Sequence, residues 1–456
     1  MIYAPFSYWF KKNHYYHSLV AKFFKFWVPS GMRVLHIGCT NGYVLDAIKP
    51  SYAVGVDADA VALADARIAH LHFDFYTDLS LVPLQQFDYI ILSCSTMQVY
   101  DVQQFFEKLR SYCKPGTRIL VDTYSYVWEP VLWLAQKLQL RRPTHFTNWL
   151  SRADLQNFLY LAGYHVISKQ AHILLPYYIP FISWLMNMFI APVPFINALC
   201  LQQVIIARPQ SLSHDTNQSV SVIVPVRNER GNIEQAIVRC PLMGQSTEII
   251  FVEGHSRDGT KQEIERVISA YPERDIQLVI QDGKGKADAV RKAFNMARGS
   301  ILMILDGDLT VPPEELPKFF DALVQGKGEF INGSRLVYGM ESGAMRFLNL
   351  IANHGFALIF SWLLSQRVKD TLCGTKVLFA NDYHRIVAQR SLFGDFDPFG
   401  DFDLLFGAAR LSLKIIDMPI HYKNRVYGST QISRFRHGVL LMNMSIFGSF
   451  KFKFRS

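Results

Sequence analysis

Apolar runs of strand length recur along this chain, and most end on a glycine or an acid that opens into a segment of helical period. VLHIGCTNGYVLDAI (34–48), AVGVD (53–57) and FDYIILSCS (87–95) carry the pattern in the first half. SVIVPVRNERGNIEQAI (221–237), EIIFVEGHSRDGT (248–260) and GSILMILDGDLTVPPEELPKF (299–319) carry it in the second. Continuous apolar runs are strands buried on both faces, and their alternation with helices requires a parallel or mostly parallel sheet covered by helices. The chain is therefore expected to be α/β. Residues 209–219 (PQSLSHDTNQS) are polar and lie between two apolar β-type runs, LQQVIIA and VSVIVPV. They read as a linker between a domain over 1–208 and another over 220–456, and 456 residues suit such a division at roughly 150 residues per domain.

Charge is placed unevenly. Lysine and arginine exceed aspartate and glutamate by 47 − 38 = +9. Residues 1–45 hold five basic side chains and 421–456 hold seven, neither stretch with an acid, so the middle carries −3. Two basic edges facing something anionic fit this better than a nucleic-acid wrapper, and no RNA-binding motif accompanies the aromatic start, Phe6 to Phe26, expected to be a docking helix. Six dispersed cysteines without a CxxC pair favour a reducing compartment. The first residues lack a signal-peptide core, so a cytoplasmic protein is expected.

Two segments are candidates for membrane contact. Residues 170–207 contain no Lys, Arg, Asp or Glu, but four prolines leave no stretch of the roughly 20 residues a spanning helix needs. They read as an interfacial or groove-forming insertion. Residues 347–365 (FLNLIANHGFALIFSWLLS) carry Asn349, Asn353 and His354 as a polar stripe and read as an amphipathic helix lying in an interface.

In the first half, Gly38 and Gly42 form a tight turn between a buried strand and a helix start, where backbone N–H groups face a ligand. Asp57 ends the next strand, placed to accept ribose hydroxyls, and Asp74 in HFDFYTD is a candidate for an adenine amine. These residues resemble class I S-adenosylmethionine-dependent methyltransferases over roughly 30–208. The resemblance implies a Rossmann-like domain holding S-adenosylmethionine through Gly38, Gly42, Asp57 and Asp74. Thr40 stands where a third glycine is common, and no acceptor-side base or nucleophile is recognisable.

The second half places an acid at three strand ends in order: Glu229 soon after Pro225-Val226, Glu253 with Asp258, then Asp306 and Asp308. Alternate residues on a strand share a face, so the last two converge on one divalent ion. Hard oxygen ligands favour Mg2+ or Mn2+. These motifs resemble inverting GT-A glycosyltransferases of family two, in particular the dolichyl- and polyprenyl-phosphate sugar synthases, over about 219–438. The resemblance implies a GT-A nucleotide-diphospho-sugar transferase domain. Its nucleotide-sugar pocket would be lined by Pro225, Val226, Glu229, Glu253, Asp258, Lys286 and Asp306, with the metal on Asp306 and Asp308. Thr310 stands where that branch often has glutamine, putting a third protein ligand in question.

For the acceptor, Arg335 follows a strand, and Arg346 and Asn349 share a face of the apolar helix. With Arg434 they are the expected grip on a lipid phosphate. Asp401 and Asp403 are the candidate general bases for a hydroxyl acceptor. A phosphate acceptor needs no base, and both aspartates would then order the basic loop. The sequence thus predicts a peripheral enzyme on the cytoplasmic face of a membrane, moving a hexose from a nucleoside-diphosphate sugar to a polyprenyl phosphate. Alternatives are a bifunctional enzyme that also methylates a cell-surface glycan, and an inactive module recruited to membranes.

Overall fold

The computed structural model describes residues 6–70, 72–144, 148–210, 216–338, 347–390, 400–428 and 434–454, without the side chains of 347–351, Asp401 and 434–437. The chain divides into two compact units, Met1–Gln210 with Lys453–Ser456, and Ser211–Phe452.

The first unit holds β1 (Arg33–Ile37), β2 (Tyr52–Val56), β3 (Asp74–Tyr76), β4 (Phe87–Ser93), β5 (Cys113–Tyr124), β6 (Tyr164–His172) and β7 (Gln202–Pro209). They form one sheet in the order β3-β2-β1-β4-β5-β7-β6. β7 runs antiparallel between β5 and β6, while β1 to β5 are parallel. Leu35, Val54, Ile90, Leu92, Ile119, Val121 and Ile205 are fully buried, as the unbroken apolar runs demand. Strand order reverses between β1 and β4, which opens a crevice at the carboxyl edge of the sheet there.

Two expectations change here. The aromatic start forms the helices Phe6–Lys12 and His14–Trp27, whose Phe6, Trp9, Phe23, Phe24 and Trp27 are buried rather than presented for docking. Residues 170–207 are not one interfacial element: their ends belong to β6 and β7, and Val204 to Ala207 are core. Between these strands lie short helical turns with Tyr178, Phe181, Trp184 and Phe195 exposed.

The second unit holds β8 (Ser219–Val226), β9 (Ser246–Glu253), β10 (Asp275–Ile280), β11 (Ile301–Ile304), β12 (Phe330–Ser334), β13 (Lys376–Phe379) and β14 (Ile415–Pro419), in the order β10-β9-β8-β11-β13-β12-β14. β13 is antiparallel to β11 and β12, and the other pairs are parallel. The central strands β8 and β11 are buried on both faces, so only their carboxyl ends reach a surface. The helix Phe347–Leu364 forms as expected, but Asn353 turns inward near Ala357 and Phe360, while His354 is exposed. The polar stripe read from sequence is therefore split between two faces. Among the described residues no helix is long and apolar enough to cross a membrane.

Candidate functional site

The carboxyl ends of β8, β9 and β11 bring the strand-end acids of the second unit together. Past β8, Glu229 is buried: its Oε2 accepts from Asn232 Nδ2 (2.7 Å) and its Oε1 from an Arg425 terminal nitrogen (2.9 Å). Burial pushes the Glu229 carboxyl above its ordinary range despite the Arg425 charge, because Asp308 repels it as well. The same guanidinium donates to Asp308 Oδ2 at 2.6 Å, so one side chain from beyond β14 ties the ends of β8 and β11. Pro225 and Val226 pair with Val252 and Glu253 in register, which sets Glu253 beside them. Glu253 accepts from the Ser256 backbone N–H at 2.5 Å. Asp258 takes Thr260 N–H and O–H on one oxygen, and Arg230 N–H (3.2 Å) and Tyr427 O–H (3.3 Å) on the other. Burial alone would raise the Asp258 carboxyl, but these donors hold it below its usual range.

Asp306 and Asp308 leave β11 on a tight turn. Asp306 Oδ1 accepts from Lys286 Nζ at 2.6 Å, and Lys286 heads the helix Lys286–Met296. Burial pushes against ionisation, yet Lys286, with Arg335 and Lys376 further off, keeps the Asp306 carboxyl below its ordinary range. Asp308 Oδ1 takes the backbone N–H (3.2 Å) and hydroxyl (2.8 Å) of Thr310. Thr310 thus orients Asp308 from its own side chain. Among the described residues no three metal-ligating side chains cluster. The pair nevertheless suits a divalent ion: Lys286 and Arg425 stand as cations against these two carboxylates, and Asp306 Oδ2 accepts nothing from the described residues.

Gly374, just before β13, keeps this cradle open. A Cβ there would run into both carboxylate oxygens of Asp306 and into Lys286 Nζ. Gly374→Ala is expected to expel the Lys286–Asp306 pair, cutting divalent-ion affinity about tenfold or more with little change in melting temperature; calorimetric titration with Mn2+ and thermal melts check this.

The acceptor-side residues are distributed differently. Arg335 does not reach this cradle with free donors. Its Nε and a terminal nitrogen grip Asp370 at 2.7 and 2.9 Å, its backbone N–H adds 3.0 Å, and its guanidinium lies 5.3 Å from the Tyr422 ring centre. Burial would raise the Asp370 carboxyl, and Arg335 outweighs it. Asp403 is buried in the helix Asp401–Arg410, where it accepts from Arg291 (3.3 Å) and Arg390 (2.9 Å). Both arginines take Oδ2, so this candidate base from the sequence is tied into an ion-pair cluster. Arg346 lies outside the described residues, as do the side chains of Asn349, Asp401 and Arg434. Tyr427 was missed from the sequence: its ring covers Gly231, where a Cβ would meet it at 2.5 Å, and its hydroxyl reaches Asp258. Only its place two residues after Arg425 in a basic loop hinted at it.

The first unit carries a cavity of about 1480 Å3 over the carboxyl edge of its sheet. Gly38, Thr40, Asp57, Asp59, Thr77 and Asp78 line the side over β1 to β3. Gly38 has φ +82, and a Cβ would strike the Ser93 carbonyl, so only glycine fits. Gly42 caps the helix Tyr43–Ile48 at φ +77 and stands behind the lining. Asp57 accepts from Thr40 N–H (2.8 Å) and Asp59 N–H (2.9 Å), and burial raises its carboxyl in spite of both.

Asp74 is not at the cavity. It begins β3, at the opposite end of the strand, and accepts from Tyr52 O–H at 2.7 Å. Asp78, just past β3, is the acid of this segment that lines the cavity.

Thr40 holds φ +48, a left-handed conformation that costs a β-branched residue roughly 1–2 kcal/mol. Thr40→Gly is expected to stabilise the unit by up to about 1 kcal/mol in urea unfolding, part of the relief being offset by chain entropy. His36 lines the same cavity fully buried, and burial lowers its pKa to about 3. The fold refuses a proton that the unfolded chain takes near pH 6.5, so its contribution is complete above that pH and is lost as pH falls toward 3. This residue alone is expected to cost about 2 kcal/mol between pH 7 and pH 5, and His36→Gln should flatten the stability–pH profile correspondingly.

The molecule thus holds one α/β unit with a crevice beside Gly38 and Asp57 and a second with acids at three strand ends. Residues 221–393 match the family model described as glycosyl transferase family 2, and residues 8–169 match one described as a methyltransferase domain. The two matches fall on separate segments of the chain, the methyltransferase-domain model on the first unit and the family 2 glycosyl transferase model on the second. Among curated proteins, a dolichol-phosphate mannosyltransferase of Pyrococcus furiosus is 34% identical over 153 residues, 33% of this chain and 42% of that one. A dolichol-phosphate mannosyltransferase of Saccharomyces cerevisiae is 36% identical over 109 residues, 23% of this chain and 40% of that one. An undecaprenyl-phosphate 4-deoxy-4-formamido-L-arabinose transferase of Edwardsiella ictaluri is 31% identical over 115 residues, 24% of this chain and 35% of that one. The chain spans less than half the length of these relatives. Among solved structures, glucosyl-3-phosphoglycerate synthase of Mycobacterium tuberculosis with Mn2+, UDP and glucosyl-3-phosphoglycerate aligns at 17% identity and TM-score 0.38, over 52% of this chain and 81% of that one.

Proposed function

We propose that the second unit transfers a hexose from a nucleoside-diphosphate sugar to a polyprenyl phosphate, with inversion, at the cytoplasmic face of a membrane to which the protein attaches peripherally. The observation that carries this reading is the pairing of Asp306 with Lys286 and of Asp308 and Glu229 with Arg425 at one strand edge. Acids and cations alternate there as a diphosphate with its metal requires. Mg2+ or Mn2+ held by Asp306 and Asp308 would neutralise charge growing on the leaving diphosphate. Glu253 and Asp258, at the end of β9 and just beyond it, suit the base and ribose of the donor.

The acceptor phosphate is anionic at neutral pH, so its oxygen attacks the anomeric carbon without a base. The bond to the nucleoside diphosphate breaks on the opposite face, with its electron pair on the departing oxygen. The protein's part is positioning and charge neutralisation. Asp403, clamped by two arginines, supports a phosphate acceptor over a hydroxyl one. The relatives' names, dolichol-phosphate and undecaprenyl-phosphate transferases, support the acceptor class.

Binding of UDP and of GDP with Mn2+, followed by transfer from UDP-glucose and GDP-mannose to dolichyl or undecaprenyl phosphate, tests the reading. Absence of nucleotide binding with Mn2+ overturns it. A second reading, that the first unit also methylates a glycan using S-adenosylmethionine, is favoured by the cavity beside Gly38 and Asp57. Titration with S-adenosylhomocysteine tests it, Asp57→Ala being expected to abolish the heat.

A further inference from the structure

Between β6 and β7 the chain repeats itself. Ile179-Pro180-Phe181-Ile182 and Val193-Pro194-Phe195-Ile196 stand 14 residues apart, and each is completed by a leucine, Leu185 and Leu199. The backbone repeats with the letters. Phe181 holds φ +62 and ψ −45, Phe195 holds φ +70 and ψ −47, and each precedes a short helical turn. In both copies the carbonyl two residues before the phenylalanine, Ile179 or Val193, accepts from the N–H four residues on, Ser183 or Asn197, at 3.0 Å.

Positive φ suits glycine and strains a residue that carries a bulky side chain. Burial of the ring could offset that strain, yet Phe181 is 70% exposed and Phe195 is 93% exposed. Each ring is held facing solvent at the tip of a proline-led turn, on backbone that glycine would adopt more easily. Ile179, Ile182, Trp184 and Leu199 are exposed as well. The platform beneath is firmly tied. Ser183 Oγ, buried, accepts from the Ile179 N–H (2.6 Å) and donates to the Tyr177 carbonyl (2.7 Å), while Asn187 Oδ1 takes the N–H groups of Leu174 and Leu175 at 2.8 Å. Strain repeated at two exposed rings, with no core to fill, points to a use outside the fold.

The charge around this surface has one sign. No aspartate or glutamate occurs from Leu155 to His214. Asn187 Nδ2 donates to Tyr15 O–H at 3.1 Å, and the Tyr15 and Tyr178 rings lie 5.4 Å apart, which fastens the repeat to the helix His14–Trp27. Ser18, Lys22 and Lys25 follow Tyr15 at helical spacing and share its face. Both lysines are exposed, about 10 and 15 Å along the axis from Tyr15, on a helix without an acid. On the other side, Trp128 Nε1 donates to the Leu199 carbonyl at 2.7 Å and joins the repeat to the helix Glu129–Lys137. There the Lys137 ammonium sits 3.7 Å from the centre of the exposed Trp133 ring, with Glu129 the single acid of that helix.

Apolar tips, tryptophan and tyrosine around them and lysines alongside match the layers of a bilayer surface. Phenyl rings reach the acyl boundary, amphipathic rings settle at headgroup level, and lysines meet anionic headgroups. We propose that this twin-tipped surface docks the first unit on a phospholipid bilayer carrying anionic headgroups, with Phe181 and Phe195 entering the acyl boundary and Lys22 and Lys25 lying over the headgroups. This rests on the reading that the protein attaches peripherally to a membrane, and it places a point of attachment in the first unit.

The test is flotation and amide hydrogen exchange of the full chain with phosphatidylcholine vesicles, with and without phosphatidylglycerol. Exchange over 177–199 is expected to slow about tenfold or more on the phosphatidylglycerol vesicles. Phe181→Ala with Phe195→Ala is expected to abolish that slowing and to weaken vesicle partition about tenfold or more, without lowering the melting temperature, since neither ring is buried. Lys22→Gln with Lys25→Gln is expected to weaken partition onto phosphatidylglycerol vesicles about fivefold per lysine and to leave partition onto phosphatidylcholine alone unchanged. Flotation of the parent without slowing over 177–199 overturns the proposal and leaves peripheral attachment to the second unit. Unchanged slowing in the phenylalanine variant overturns it likewise, and absence of flotation overturns both the proposal and peripheral attachment. Slowing that follows protein concentration instead of lipid assigns the surface to a second copy of this chain and overturns the lipid assignment. Slowing on lipid by a chain that transfers no sugar to a polyprenyl phosphate retains this surface and removes the function proposed for the second unit.

Discussion

Asp308→Asn is expected to lower sugar transfer by a factor of about 1,000 or more while leaving the melting temperature of the second unit within a degree or two of the parent. Electrostatic groups aimed at developing charge contribute on the order of 3–4 kcal/mol to a transition state. The Arg425 guanidinium that loses this ion pair keeps Glu229 as a carboxylate partner and is not left stranded, the two side chains of the pair being 24% and 18% exposed. The two readouts therefore separate, which a merely structural aspartate would not allow. Mn2+ titration provides the companion measurement, since the amide keeps the Thr310 contacts but removes the charge that a hard cation needs. Full transfer by Asp308→Asn would remove the metal assignment.

The second large effect concerns stability. Asp370→Ala leaves the Arg335 guanidinium buried without its carboxylate, and the expected cost is about 3–5 kcal/mol in urea unfolding of the second unit. Replacing both partners by leucine is expected to recover most of that loss, because neither charge is then stranded. Acceptor KM should return with stability if Arg335 is a strut. A double variant that folds well yet keeps a KM raised tenfold or more would instead restore Arg335 to the acceptor grip expected from the sequence.

These two residues mark where sequence reasoning ran out. Arg335 follows a strand in INGSRL, and Asp370 lies in KDTLCGTKVLF, 35 residues later; nothing local says that they meet. Their pairing arises because β12 lies beside β13, antiparallel, so the loops at one end of the pair face each other. Asp403 is similar, since its arginines come from the helix Lys286–Met296 and from beyond the helix Ala380–Ala388. The hydrogen-bonded group of Asp122, Gln202, Tyr16 and Tyr124 was equally out of sight. Its members lie in three separate stretches of chain, and only the antiparallel insertion of β7 beside β5 sets Gln202 against Tyr124.

The alternation of apolar strand, turn and helix by itself determined two α/β units and the strands that ended in acids. That much is local, because a strand buried on both faces must be apolar throughout and its functional residues can only stand at its end. Side-chain partnership is not local. Whether an arginine faces a ligand or a carboxylate, and whether an aspartate holds a metal or braces a helix, depends on which strand ends are neighbours and on how deeply each charge is buried. Strand order and burial are products of packing the whole sheet, so the placement of Asp306 and Asp308 at a strand end was legible locally, while the partners of Arg335, Asp403 and Asp122 emerged only once the sheets were assembled.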